Sequence, residues 1–183
     1  GQPAGRATCH CPLIPFDPMP HEPRLSRALR ELLAARRTAA LGTLDASLCG
    51  DSAQPFVSMV PYALLPAERS LVLHVSGLAA HTRNLLAHPR VSLMVMAGEV
   101  DGEPVHALAR VTLDAVAQVP ERDSTLWAAA RAAYLARFPE AEPMTTLGDF
   151  MFVVLRPASA RQVAGFGAAR TVDADDLAHI LGG

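Results

Sequence analysis

Residues 76–95 read SGLAAHTRNLLAHPRVSLMV, and this segment gives the strongest indication of the fold. A strand is predicted to end at Val75, after which a loop of small residues leads into a short helix within residues 77–88. Pro89 ends that helix because proline cannot continue one. Residues 90–96 follow as another strand, so the stretch predicts a strand, a helix and a strand in close succession.

The loop before this helix carries side chains that suit an anion. Ser76, Thr82 and Arg83 lie close together in the sequence. A helix N-terminus leaves backbone N–H groups unpaired and carries partial positive charge, and hydroxyls and a guanidinium add further donors. A phosphate site is therefore one interpretation. The residues alone also allow a plain helix start in which Thr82 is the cap.

Outside this stretch, hydrophobic periodicity predicts the other elements. Period-two alternation is clearest in residues 105–115, which follow the hairpin signal Asp101-Gly102. Six or seven consecutive, mostly antiparallel strands with flanking helices favour a mainly β fold with α-helices, either a barrel or a sandwich. The remaining strands are predicted at residues 37–44, 55–64, 71–75, 150–155 and 160–163, and the remaining helices at 23–37, 121–137 and 173–181.

Length and charge limit the function classes. The 183 residues suggest one domain over residues 21–183, behind an extended, proline-rich arm at residues 1–20. No apolar run reaches the roughly 18 residues that span a bilayer. A net charge of −2 gives no general attraction for nucleic acid or anionic membranes, so we expect neither as a partner. Three cysteines are too few for a disulfide framework, which predicts a cytoplasmic protein.

The chemistry of the side chains narrows the classes further. All sixteen basic residues are arginine, so Schiff-base chemistry is excluded, and arginines, hydroxyls and backbone N–H groups must hold any phosphate. The sequence Cys9-His10-Cys11 resembles a fragment of a metal site, but zinc needs about four ligands at wider spacing, so we predict no metal site. No Ser/His/Asp set, carboxylate pair or Walker loop is present, and no catalytic residue is assigned.

Several motifs together resemble the pyridoxamine-phosphate-oxidase-like FMN-binding split barrels. The similarity is greatest to the haem-utilisation branch, whose hallmarks Ser-x-Leu-Ala-x-His-Thr-x-Asn and Gly-Phe-Gly-x-Ala begin here at Ser76 and Gly165. The segments ALGTLD (40–45) and PFVSMVPY (55–62) also fit. The resemblance covers about residues 23–180 and implies a split β-barrel. Longer members of the branch carry a second C-terminal domain that this sequence does not include.

The resemblance also implies FMN as the cofactor and a set of residues that hold it. The strand residues that would lie against the flavin ring are Val57, Ser58, Met59 and Val60. The residues that would line the phosphate and ribityl chain are Val75, Ser76, His81, Thr82, Arg83 and Asn84. Arg110 falls where a long strand approaches the flavin. Two subunits share each site in this superfamily, so the resemblance implies a homodimer with the flavin at the interface.

Departures from the family pattern shape the functional hypotheses. The strand FVSMVP lacks the Arg and Lys of the vitamin B6 oxidase, and the C-terminal substrate cluster of that enzyme is missing, so vitamin B6 oxidation is not expected. The first hypothesis is an FMN-dependent oxidoreductase that acts on an unidentified small molecule. One alternative is a haem-binding or haem-degrading protein of the haem-utilisation type. Another is a non-catalytic flavin carrier or sensor.

Overall fold

The structure, a computed structural model, describes residues 22–48 and 52–183. The proline-rich arm at residues 1–20 and the Cys9-His10-Cys11 sequence lie outside the described residues. None of the helices in the described ranges is both long and apolar enough to cross a membrane. The four α-helices there are α1 (Arg24–Ala35), α2 (Ala80–Ala87), α3 (Thr125–Arg137) and α4 (Ala174–Gly182).

One antiparallel sheet contains all the strands of the described residues. The strands are β1 (Thr38–Leu44), β2 (Pro55–Pro61), β3 (Ala63–Leu65), β4 (Ser70–Ser76), β5 (Arg90–Met96), β6 (Arg110–Gln118), β7 (Phe150–Val163) and β8 (Ala169–Val172). Their order is β2-β1-β5-β6-β7-β4-β3, and β8 pairs with β7. β2, at one edge of the sheet, also approaches β4. The sheet therefore curls into a split barrel, and the predicted fold class is confirmed.

The barrel interior follows from alternation along the strands. In β1, β5 and β6 every second residue is buried, which is the pattern of strands with one face on a core. Leu29 and Leu33 of α1 and Leu177 of α4 join this core. The inner face of the sheet is thus closed by helices, while the outer face of β1, β2, β5 and β6 stays open.

A second apolar cluster lies on the other side of β4. Phe152 and Val154 of β7 and Tyr134 of α3 pack there against Val72. Because β4 lies between the two clusters, six of its seven residues are buried, with only Ser76 at the end less so. The helix predicted over residues 121–137 is α3, and it covers this face of the sheet.

Two predicted strands have different bounds in the structure. The strand predicted over residues 105–115 begins only at Arg110, because Val105–Ala107 form a short 3-10 helix. The alternation at 105–109 is thus not that of a paired strand. The strand predicted over 55–64 is interrupted at Tyr62, whose buried hydroxyl donates to the carbonyl oxygen of Leu33 at 2.7 Å. Burial raises the pKa of Tyr62 to about 12.

The C-terminal strands also differ from the prediction. The segments predicted as separate strands at 150–155 and 160–163 form the single strand β7. It runs through Pro157 because the register shifts there: Ala115 pairs with Pro157 and Asp114 with Ser159, and a bulge tolerates a proline. The four-residue strand β8 was not predicted, since so short a polar segment carries little periodicity.

Candidate functional site

Asn84 anchors α2 to the end of β1. Its side-chain nitrogen donates to Thr43 Oγ1 at 3.0 Å, and its Oδ1 accepts from the backbone N–H of Ala46 at 2.9 Å. The side chain is buried. Both ends of the amide are therefore occupied within the chain, so Asn84 positions the helix.

His81 joins α2 to the edge strand β2. Its Nδ1 lies 3.0 Å from Ser58 Oγ, and the tautomer decides which of the two donates. Burial lowers the pKa of His81, so the imidazole is neutral near pH 7. Nε2 has no hydrogen-bond partner among residues 22–48 and 52–183, which leaves it for a ligand.

A tight turn follows β4, and Asp149 holds it. The Ser76 hydroxyl donates to Asp149 Oδ2 at 3.1 Å and accepts from the Leu78 N–H at 3.2 Å. The Gly77 N–H donates to the Asp149 carbonyl oxygen at 2.6 Å, and a Cβ on Gly77 would stand only 3.2 Å from that oxygen. The close approach therefore favours glycine, since any other residue would have to push the Asp149 carbonyl oxygen back by a few tenths of an ångström. Sequence reasoning missed Asp149, because nothing local shows that it meets a residue 73 positions earlier.

Arg83 and the start of α2 supply free donors. Nη1 of Arg83 donates to the Leu78 carbonyl oxygen at 2.8 Å, and the rest of the exposed guanidinium faces outward. The N-cap residue Ala79 gives no side-chain hydrogen bond, so the first N–H groups of the helix lack a cap. Hydrogen bonds from Ser47 lower the pKa of the nearby Asp45 carboxyl, with a smaller contribution from the charge of Arg83.

Besides Asn84, three of the predicted site residues are buried. Thr82 is fully buried, and its hydroxyl has no hydrogen-bond partner in the part of the chain that the structure describes. Val60 and Val75 belong to the main core. The side chains of these residues face away from solvent, so any contact of the two valines with a cofactor would be through the backbone.

An apolar patch lies on the outer face beside this cluster. Val57 and Met59 of β2 are 66% and 67% exposed, and Met94 and Met96 of β5 are also exposed. The small residue Ala40 pairs with Met59 on one side and Met94 on the other, which leaves a hollow of about 390 Å³ between the strands. We call Val57, Met59, Met94 and Met96 the methionine face.

Arg110 lies next to this face, away from α2. It begins β6 and pairs with Met96, and its Nη1 donates to the Leu108 carbonyl oxygen at 3.0 Å. Asn84 contacts Thr43 near the opposite end of β1. Within one chain the structure thus brings together Ser58, Ser76, His81 and Arg83 around α2, and places Arg110 beyond the methionine face.

Similar proteins were found by sequence and by structure. The chain is 36% identical to "Heme oxygenase HutZ" of Vibrio cholerae over 86% of both chains. It is 38% identical to "Non-canonical heme oxygenase HOZ, chloroplastic" of Arabidopsis thaliana over 69% of this chain, but spans only 39% of that protein. A solved heme binding protein from Mycobacterium smegmatis is 34% identical with a TM-score of 0.75; the match covers 87% of this chain and 62% of that one.

A family model supports the same assignment. The model described as pyridoxamine 5'-phosphate oxidase matches residues 25–164, which extend from α1 to the end of β7. This range includes β2, the turn after β4, α2 and Arg110, the elements that build the candidate site. The resemblance read from the sequence motifs is thus confirmed. The chain belongs to the pyridoxamine 5'-phosphate oxidase family.

Proposed function

We propose that this protein binds haem against the methionine face and takes part in haem breakdown. The observation that carries the proposal is the similarity to the Vibrio cholerae heme oxygenase over 86% of both chains. The Arabidopsis and Mycobacterium relatives bear corresponding names. Of the hypotheses drawn from the sequence, these relatives favour the haem alternative over the FMN-dependent oxidoreductase.

The exposed residues fit a flat, apolar ligand with an acidic edge. Haem is such a molecule, because its large ring is apolar and carries two carboxylates on one side. Methionine side chains are flexible and polarisable and adapt to a flat surface. Arg110 stands at the margin of the methionine face, and among the described residues it makes no ion pair. Its guanidinium would hold a carboxylate there.

His81 offers a nitrogen of the right kind at the edge strand β2, on the opposite face of that strand from Val57 and Met59, because its partner Ser58 alternates with them. Neutral imidazole is the form that binds iron, and burial keeps the pKa of His81 low. The contact with Ser58 fixes Nδ1 and orients the ring. Bound haem would supply an iron centre for oxygen chemistry. In this chain the methionine face would exclude water from the ring, Arg110 would hold the carboxylates at its edge, and Ser58 would fix the imidazole of His81.

A haemin titration followed by absorbance tests the proposal. We expect a Soret band at one haemin per site, and Val57→Glu should weaken binding about tenfold or more, since a buried unpaired carboxylate is costly. Val119→Glu, which changes an equally apolar exposed residue away from the site, is the matched control. No Soret band with the wild-type chain, or equal binding by both variants, would remove the proposal.

FMN binding is a second candidate, and a separate observation favours it. The start of α2 is uncapped, and Arg83 and the Ser76 turn lie beside it. Unpaired N–H groups together with a guanidinium suit the phosphate of FMN better than they suit the carboxylates of haem. A flavin spectrum that survives desalting would support this candidate, as an oxidoreductase on a small molecule or as a flavin carrier or sensor.

We also propose that the protein is a homodimer with its ligand site at the interface. β2 is the edge strand of the sheet, and its Phe56, Val57 and Met59 are exposed. Long apolar edge strands are usually covered, because they otherwise pair or aggregate. A second copy placed on the methionine face would bury Val57 and Met59 and enclose the ligand site between the two subunits. The sparse cysteines remain the basis for proposing that the protein is cytoplasmic.

A further inference from the structure

A second cavity lies on the outer face, farther along β1 than the methionine face. Its volume is about 550 Å³, which is within the range of small-molecule sites. Gly42 lines it, and Gly42 pairs with Val57 of β2 and with Ser92 of β5. The apolar part of its wall comes from Leu44, Pro55, Val91, Ala115, Val116 and Ala158.

Gly42 is the lining residue of this cavity that has no side chain. A Cβ at Gly42 would stand 3.5 Å from the Ser92 carbonyl oxygen and 3.8 Å from its Cβ, both ordinary contacts. The glycine is therefore not required by the packing or by an unusual backbone conformation. A side chain at this position would fit the strand and would occupy part of the cavity.

Asp114 places a carboxylate on the cavity wall. Its Oδ1 accepts from Ser92 Oγ at 2.7 Å and its Oδ2 accepts from Ser159 Oγ at 3.3 Å, so two hydroxyls on the neighbouring strands fix the group. No arginine lies within ion-pair distance of it in the described ranges. The carboxylate is thus oriented and has lone pairs left for a ligand.

Arg90 adds a cation to the same cavity. Arg90 pairs with Val116 while Ser92 pairs with Asp114, so Arg90 and Asp114 are diagonal neighbours on one face of adjacent strands. No ion pair joins them, and Arg90 has no carboxylate partner elsewhere among the described residues. Diagonal neighbours are about 7–8 Å apart, which leaves room for a bridging group between the two charges.

We propose that this cavity binds a small zwitterion with an apolar side group, of the α-amino acid type. Its ammonium group would donate to Asp114, its carboxylate would accept from Arg90, and its apolar part would lie between Leu44 and Val116. The apolar lining favours an aromatic or branched side group over a polar one. This site adjoins the methionine face, because Gly42 pairs with Val57, but its charged groups Asp114 and Arg90 do not belong to the site proposed for haem.

Three related probes test the charge requirement in the full chain. We expect L-tryptophan, the zwitterion, to bind more tightly by calorimetry than tryptamine, which lacks the carboxylate, or indole-3-propionate, which lacks the ammonium. Amide resonances of Gly42 and Asp114 should shift with tryptophan. Equal binding of the three compounds, or shifts confined to residues elsewhere, would overturn the proposal.

Variants separate the two charges. Asp114→Asn should weaken tryptophan and tryptamine about tenfold or more and leave indole-3-propionate unchanged, since one charge-assisted bond is lost. Arg90→Gln should weaken tryptophan and indole-3-propionate and leave tryptamine unchanged. Gly42→Val should weaken binding of all three compounds, because its side chain would enter the cavity. Asp101→Asn, in an exposed loop, is the charge control, and an effect there equal to that of Asp114→Asn would contradict the assignment.

Discussion

Single side chains around α2 divide into those that hold the structure and those that remain free for a ligand. Asn84 is fully engaged by Thr43 and Ala46, and Thr82 is buried. One guanidinium nitrogen of Arg83 donates to the Leu78 carbonyl oxygen, and the other nitrogens face solvent. Of the charged side chains in this cluster, Arg83 is therefore the one best placed to decide whether an anion binds.

The Arg83→Ala variant tests that role. If a phosphate binds at the start of α2, this change should weaken FMN binding about tenfold to a hundredfold, the scale of one charge-assisted hydrogen bond. Arg83→Lys should recover part of the affinity, because a lysine keeps the charge and loses the planar fork. Quenching of FMN fluorescence measures the dissociation constant of each variant. Unchanged affinity in Arg83→Ala would place the phosphate elsewhere.

Among the elements, β4 and α3 meet through an aromatic cluster that contains a histidine. The ring of His74 lies 4.6 Å from that of Phe152, 5.1 Å from Phe150 and 5.6 Å from Tyr134, centroid to centroid. Burial lowers the pKa of His74. Protonation in the folded state therefore puts a charge into the contact between the helix and the sheet.

This arrangement predicts a loss of stability in acid. Since the folded pKa of His74 is below its unfolded value of about 6.5, the unfolded chain binds more protons as the pH falls through 6.5, and the free energy of unfolding decreases there. His74→Phe should make that decrease smaller when urea unfolding is measured between pH 7.5 and pH 5. His81 contributes in the same direction, so part of the slope should persist. The exposed His106→Gln is the histidine control, and an unaltered slope in His74→Phe would refute the explanation.

How far the sequence predicts the elements depends on whether their partners are near in the chain. Residues 76–95 were placed correctly, because loop, helix and strand there follow one another locally. The break at Tyr62 and the bulge at Pro157 depend on a helix and a strand far away in the sequence. The contact of Ser76 with Asp149 and the cavity beside Asp114 arise in the same way. No local sequence pattern predicts these four features.

For the whole molecule, the open outer face of the sheet is the feature that requires a partner. Wild-type protein should sediment with twice the mass of one chain, because a second copy would cover the methionine face. Met94→Glu should give monomers, since a carboxylate would be buried without a partner charge. Val100→Glu changes an exposed apolar residue in a loop and should leave the mass unchanged. A monomeric wild type would contradict the shared site.

The position of β4 between the two apolar clusters also has a consequence for the order in which the chain can fold. β4 ends at Ser76, yet the strand that pairs with it along its length, β7, begins only at Phe150. During synthesis, β4 leaves the ribosome long before β7 exists. Until then the apolar side chains on both faces of β4 are exposed. The barrel therefore cannot close until β7 has been made, which makes β4 the segment most in need of protection by a chaperone.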